Sequence, residues 1–444
     1  MSAATFLRAF ARARWLARRF RSREELEAWQ DRRAARHLAW VAARAPHTAR
    51  RLAEHGAPLA GGGWRTLPPI TKADVLAHFA AVNTAGVGLS DALAVAERAE
   101  ATRDFAPMLG ELTVGLSTGT SGQRGVFLAS PAERAEWAGT VLARALQGPL
   151  LRRRRVALLL RAGGPLYESV GRGPLTFRFF DLLKDPRELA RSLDAFGPDV
   201  LVAPPAALRL LAEAQRRGEI ALRPEQVTSC ADVLGDDDAA EITAAWGRPP
   251  HQIYQATEGF LGATCAHGTL HLNEDAVAVQ PEWLGATEGE ARRFVPVLTD
   301  LRRRTQPFVR YRLDDVLVAR AAPCPCGSVL RALDRVEGRA DDVLRWPAGD
   351  GTRAVFPDFV RRAVAGAHPA VADYRVVQVG PAALRVALRL SPDAEADAPQ
   401  RAVEAALGEL ARRLGCAPLA VTFVPFEALP PDVKRRRVRR APGA

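Results

Sequence analysis

Between Gly115 and Phe127 the chain reads GLSTGTSGQRGVF, and apart from Leu116, Val126 and Phe127 every residue there is Gly, Ser, Thr, Gln or Arg. Successive backbone N–H groups of a glycine-rich segment converge on phosphate oxygens, and hydroxyls and a cation assist them. Ser117, Thr118, Gly119, Thr120, Ser121 and Gly122 have the loop chemistry, and Arg124 carries the charge. The spacing G-x-x-x-x-G-K-[ST] is absent, which argues against a kinase-like or GTPase-like P-loop. Lysine is scarce: only Lys72, Lys184 and Lys434 occur in a chain whose other cations are arginine. Each is therefore a candidate for a task that needs a compact ammonium, because the two side chains are not interchangeable at a site.

The cysteines suggest a second chemistry. CAHG places Cys265 and His267 on one tight bend, and CPCG places Cys324 and Cys326 on another. Two such knuckles that meet would give a closed, tetrahedral Cys₃His zinc site, structural in kind, with His271 as the alternative to His267. If they do not meet, they are two unrelated turns with free thiols. Cys230 and Cys416 have no such neighbours and read as core residues. Five cysteines, odd and sparse, argue against a disulfide framework and for a reducing, cytoplasmic setting.

These residues must be positioned by a chain of 444 residues, longer than one core usually grows. Hydrophobic residues at 48% and charged residues at 25% are ordinary for a folded globular protein. The net charge of +12 comes from arginine spread along every segment, which suits an anionic small molecule such as ATP better than a dedicated nucleic-acid surface. No apolar run approaches the roughly 18 residues of a membrane span. Residues 1–60 read as helical. The opening segment, which has no acid before Glu24, resembles a transit peptide in charge but lacks its apolar core, and is read as a basic amphipathic helix. Ser22 with Glu25 has the form of a capping box, and Thr71 lies near the start of a short helix in ITKADVLAHF. In the middle, RVALLLRAG and PDVLVAP read as buried strands and PAALRLLAEAQRRG as a helix with a glycine stop, so the fold class is α/β. From HQIYQATEG onward short strands dominate. The expected division is a large domain over 1–337 and a small α+β domain over 338–444 with two helices and about three strands.

LSTGTSGQRG resembles the Ser/Thr-Gly loop of the adenylate-forming superfamily, the acyl-CoA and aryl-acid ligases, and four further segments follow in that family's order. YQATEG is similar to its Tyr-Gly-x-Thr-Glu segment. The resemblance lays Tyr254 along the adenine, brings Thr257 to the α-phosphate and gives Glu258 to Mg²⁺, as a hard cation requires. Gln255 stands where the family has Gly. RYRLDD aligns Asp315 with the aspartate that takes both ribose hydroxyls, a charge-assisted pair. Leu313 and Asp314 depart from the usual Thr-Gly. GRADD aligns Arg339 with a ribose-contacting arginine and Asp341 with the hinge between domains. LPPDVKRRRV aligns Lys434 with the catalytic lysine of a small lid domain, with Val433 in place of Gly. LPPITKADV, CPCG and VFPDFV make the phenylacetate-CoA ligase and coenzyme F390 synthetase group the most similar.

The resemblance implies an ATP- and Mg²⁺-dependent enzyme. A carboxylate attacks the α-phosphorus to give acyl-AMP and pyrophosphate, Lys434 bridges the two, and the small domain then turns for acyl transfer to a thiol. Its partners would be a small carboxylic acid, aromatic or lipophilic, and CoA or a carrier protein's phosphopantetheine, with a dimer as one oligomeric option. Tyr167, Phe177, Phe179 and Phe180 are candidates for the acyl-pocket wall. Other outcomes stay open: AMP transfer to a hydroxyl, acyl transfer to an amine, a degenerate family member, or a basic nucleic-acid-binding protein. The last would need aromatic platforms among its cations, for which only Trp15 and Phe20 qualify.

Overall fold

The computed structural model describes residues 3–56, 58–116, 124–171, 173–284, 292–339, 342–349, 351–392, 394–427 and 436–441. The chain divides into two compact units, Met1–Leu313 with Val318–Arg335, and Asp314–Leu317 with Val336–Ala444. The strand Ala332–Arg339 carries the division, and it also contains Gly338, where the sequence reading sets its boundary.

In the large unit the apolar runs become parallel strands. Arg154–Leu160 lies between Leu175–Asp181 and Val200–Ala203, followed by Gln226–Ser229 and His251–Ala256. Leu159, Leu201 and Val227 are buried with Leu193, Leu208 and Ile242 from the crossover helices, as expected where helices cover a parallel sheet. The helix Pro205–Arg216 follows its strand as the sequence implies, and Gly218 beyond it has a φ of 72°, the left-handed stop that glycine adopts without strain. Beyond His251–Ala256 the pairing turns antiparallel, through Gly259–Thr264 to Leu270–Leu272, while Val277–Trp283, Arg293–Asp300 and Val309–Arg312 form a meander.

The basic opening segment is the helix Ala3–Arg19, with Phe6, Ala9, Ala13 and Leu16 buried at helical spacing. It packs against the helix Pro131–Ala145, where Phe6 joins Ala138 and Leu142. The approach is close: a Cβ on Gly139 would lie 2.5 Å from the Phe6 carbonyl oxygen. The nucleic-acid reading loses one of its two platforms, because Phe20 is 5% exposed and packs on Trp29. Ser22 caps the helix Arg23–Ala42 by accepting from the Glu25 N–H, but the Glu25 carboxylate receives the Arg21 N–H, so the reciprocal bond closes one residue earlier than the sequence pattern implies. Thr71 and Asp74 form a full capping box on Lys72–Ala77. That helix ends at His78, and Phe79–Val82 starts anew.

The small unit contains the helices Pro357–Ala365 and Asp397–Arg413 and a four-stranded sheet ordered Ala420–Val424, Ala383–Leu390, Val371–Gly380, Val438–Arg440. A separate hairpin, Leu344–Ala348 with Gly351–Val355, adds Leu344 and Trp346 to its core. The unit is thus richer in strand than the sequence suggests. Short segments such as Val438–Arg440 lack their own periodic signal and are held by a partner strand.

Candidate functional site

Thr257 and Glu258 form the tight connection between the antiparallel strands His251–Ala256 and Gly259–Thr264. Their backbone is clamped by one guanidinium: Arg303 donates from Nη1 to the carbonyls of Thr257 and Glu258, at 3.3 and 2.9 Å, and from Nη2 to that of Leu128 at 3.2 Å. Beside the turn lies a cavity of about 150 Å³ whose polar lining includes Thr257, Glu258, Glu133, Asp300, Arg302 and Arg303. Burial pushes the Asp300 carboxyl up to about 7, and the negative Glu133 and Glu258 add to the rise while Arg303 and the Phe308 N–H oppose it. Asp300 accepts that N–H at 2.8 Å. The polar lining of this cavity thus combines the Thr257–Glu258 turn with the acidic Glu133 and Asp300 and the basic Arg302 and Arg303.

Glu133 ties the segment beside Arg303, at Arg304 and Thr305, to the start of the helix Pro131–Ala145. It completes a capping box with Ser130 and also accepts the N–H groups of Arg304 and Thr305 at 2.8 and 2.9 Å and the Thr305 hydroxyl. Burial alone would raise its pKa, but the Thr305 hydrogen bond, the Arg303 charge and the backbone donors hold it below the usual range.

A second cavity of about 150 Å³ lies in the same unit, lined by Val141, Leu142, Leu146, Val156, Leu158, Val170, Val200, Val202 and Ile253 among others. Trp137 and Gln255 line both cavities, and the Trp137 indole N–H donates to Gln255 Oε1 at 3.2 Å. Gln255 therefore stands in the wall shared by an apolar and a polar chamber. Of the four aromatic wall candidates, Tyr167 and Phe177 line the apolar cavity. Phe180 packs into the sheet core against Phe196, and Phe179 packs on Phe105 with ring centroids 4.9 Å apart. Along this strand Phe180 faces the side opposite to Phe177, whereas Phe179, two residues on, shares the Phe177 side and is taken up by Phe105. Burial pushes the Tyr167 phenol up to about 12, and Cys230 adds to the effect.

The remaining candidates are distributed as follows. Tyr254 is 9% exposed on its strand, opposite Gly262. Arg124 lies just past the glycine-rich loop and forms a fork with Glu100, Nη2 donating to Oε1 at 2.9 Å, so its charge already has a carboxylate partner. Ser117, Thr118, Gly119, Thr120, Ser121 and Gly122 lie outside the described residues, as do Asp341 and Lys434. In the small unit Asp315 and Arg339 are half-buried. Of the arginines after Lys434, Arg436 and Arg437 are paired with acids. Arg436 makes a fork to Asp342, with Nε to Oδ2 at 2.9 Å, and Arg437 meets Asp373 at 3.3 Å beneath the Tyr374 ring. Of the other two lysines, Lys184 forms an exposed pair with Glu188 at 3.9 Å, and Lys72 opens its short helix.

The two cysteine turns do meet, and the histidine beside them is the alternative, His271, not His267. The ligand atoms of Cys265, His271, Cys324 and Cys326 all lie within 4.8 Å of one another. His267 is exposed at the tip of the first turn, whereas His271 is 6% exposed in the strand Leu270–Leu272.

Arg303, Asp300, Glu133, Trp137 and the Asp342–Arg436 pair do not stand out in the sequence. Only Glu133 leaves a local trace, as the acid of Ser130-x-x-Glu133.

No protein-family model matches the sequence, and no curated protein matches it by sequence. Solved structures do match in fold. The 2-hydroxyisobutyryl-CoA ligase in its postadenylation state with 2-HIB-AMP superposes with a TM-score of 0.68 at 18% identity, over 93% of this chain and 89% of that one. The same ligase with R3-HIB-AMP gives 0.67 at 17% identity over the same shares. Fatty acyl-adenylate ligases from E. coli and L. pneumophila match with a TM-score of 0.50 and 12% identity over 71% of this chain and 66% of theirs. The chain has the fold of the adenylate-forming acyl-CoA ligases. Among the described residues no helix is long and apolar enough to cross a membrane.

Proposed function

We propose that this protein activates a lipophilic carboxylic acid with ATP, forming acyl-AMP and pyrophosphate, and passes the acyl group to the thiol of CoA or of a carrier protein. The observation that carries this reading is the pair of chambers that share Trp137 and Gln255. One is apolar and sized for a hydrocarbon or aryl group, and the other presents the Thr257–Glu258 turn. An acid whose tail fills the first chamber would direct its carboxylate toward the phosphate-facing turn, which is the positioning that an in-line displacement needs. The tail gains by leaving water, at about 0.8 kcal/mol per buried methylene.

In this reading Glu258 would hold Mg²⁺, which would neutralise charge on the phosphates. Thr257 would donate its hydroxyl to the α-phosphate, Arg303 would keep the turn rigid, and Asp315 and Arg339 would orient the ribose. Tyr254 would flank the adenine. The loop from Ser117 to Gly122 would surround the phosphates. Lys434 would bridge the attacking carboxylate and the α-phosphate with an ammonium that supplies three donors. The likeness to the phenylacetate-CoA ligase group supports an aryl or medium-length acid within that class.

The test is ATP–pyrophosphate exchange with the full chain across aryl and fatty acids, with Lys434→Ala alongside. Exchange that depends on particular apolar acids and falls on the order of 10²-fold or more in the variant is expected. Nucleotide binding without exchange for any acid would overturn the reading. Product mass after addition of CoA then distinguishes a thioester from AMP or acyl transfer to another acceptor.

A further inference from the structure

Two edges of the cysteine cluster match those of a zinc-centred tetrahedron. Zinc–sulfur bonds of about 2.3 Å and zinc–nitrogen bonds of about 2.0 Å put S···S edges near 3.8 Å and S···N edges near 3.5 Å. Cys265 Sγ and Cys324 Sγ are 3.7 Å apart, and Cys326 Sγ and His271 Nε2 are 3.4 Å apart. None of the cysteines is in a disulfide. The histidine is oriented from behind: Nδ1 is 2.9 Å from the Leu330 carbonyl, which accepts its proton and leaves the Nε2 lone pair facing the sulfurs. A carbonyl that fixes the tautomer is what metal-ligating imidazoles usually have.

Both turns have knuckle geometry. The Gly268 N–H donates to the Cys265 carbonyl at 3.0 Å, and the Gly327 N–H donates to the Cys324 carbonyl at 3.1 Å. Both glycines have left-handed φ, 77° and 73°, which a side chain would strain. We propose that Cys265, His271, Cys324 and Cys326 bind one Zn²⁺ as a structural clip. Soft thiolates with one imidazole select zinc over the hard cation of the nucleotide chemistry. Four protein ligands leave no open position for a water, so the site has no catalytic role. On binding, the three thiols give up their protons to solvent while the Nδ1 proton stays on His271.

The clip joins parts of the large unit that are distant in sequence. It fastens the strand pair Gly259–Thr264 and Leu270–Leu272 to the segment that runs into Ala332–Arg339. Leu330 of that segment packs with Leu16, Phe20 and Leu26, and the Ser328 hydroxyl donates to the Ala17 carbonyl at 3.2 Å. The metal thereby secures the seat of the two N-terminal helices as well. This inference is independent of the ligase reading.

Elemental analysis of the purified full chain, produced with zinc available and dialysed against EDTA, should find about one zinc per chain. The Co²⁺-substituted protein should show thiolate-to-cobalt charge transfer and tetrahedral d–d bands. Cys324→Ser with Cys326→Ser should reduce the zinc to below about a tenth per chain, while His267→Ala leaves it unchanged. Wild-type protein with zinc below about a tenth per chain after reducing reconstitution would overturn the proposal. So would stoichiometric iron with sulfide, or zinc retained in the double variant. The cobalt spectrum and the wild-type stoichiometry decide the matter even if the double variant does not fold.

Discussion

At the scale of single residues, the structure turns on charges whose partners are far away in sequence. Asp300 is the clearest case: it is held among Glu133, Glu258 and Arg303 with its pKa raised from 3.8 to about 7, chiefly by burial. A carboxyl with a raised folded-state pKa contributes stability that is complete below about pH 4 and is lost as pH climbs through about 7. Asp300→Asn keeps the acceptor for the Phe308 N–H and removes the titration. Relative to wild type, this variant should gain on the order of 1–3 kcal/mol of unfolding free energy between about pH 5 and about pH 8, read from urea denaturation at both. Parallel pH profiles for the two proteins would show that Asp300 is ionised without penalty. Gln255 teaches a related lesson. As a departure from the family pattern it looks like a loss, but in the fold it is a hydrogen-bond acceptor for Trp137 in the wall between two chambers.

At the scale of elements, the helix Pro131–Ala145 carries most of the organisation. Its N-terminus is capped by Ser130 in a box with Glu133, its middle lines both cavities through Trp137, and its far side receives the N-terminal helix at Gly139. Any side chain at Gly139 must displace the Phe6 backbone. Gly139→Val should therefore cost about 1–3 kcal/mol in urea unfolding, as overpacking of a rigid contact does. An unchanged midpoint would mean that the two helices are free to separate. Buried arginine–acid pairs anchor the neighbouring turn: Arg144 and Arg302 both reach Asp275, at 2.7 and 3.2 Å, and Arg23 forks onto the fully buried Glu274. Removing one partner of such a set leaves an uncompensated buried charge.

At the scale of the whole molecule, each unit contributes its own set of candidate residues. In the small unit the residues that follow Lys434 are fixed by Arg436 on Asp342 and by Arg437 on Asp373. Arg436 and Arg437 are thus paired within the small unit and not left to solvent. Asp342→Asn halves the charge-assisted fork, and it should lower acid-dependent pyrophosphate exchange about tenfold while leaving the KM for the acid near its wild-type value. A change in KM alone would assign the pair to binding and not to placement of the lysine.

The sequence by itself determined the α/β class, the alternation that builds the parallel strands, the helix starts at Ser22 and Thr71, and the order of the segments whose chemistry suggests adenylation. Those are local properties, set by periodicity, capping and turn residues within a few positions of one another. Only the tertiary structure decided which histidine joins the cysteines, that Arg303 clamps the Thr257–Glu258 turn, that Arg436 pairs with Asp342, and that Gln255 divides two chambers. Each of these depends on side-chain direction and on contacts between residues far apart in the chain. His267 and His271 differ little in sequence position, yet a tight turn exposes the first and a paired strand buries the second. Pattern reading registers that a ligand is near, whereas burial and strand pairing decide which way it points.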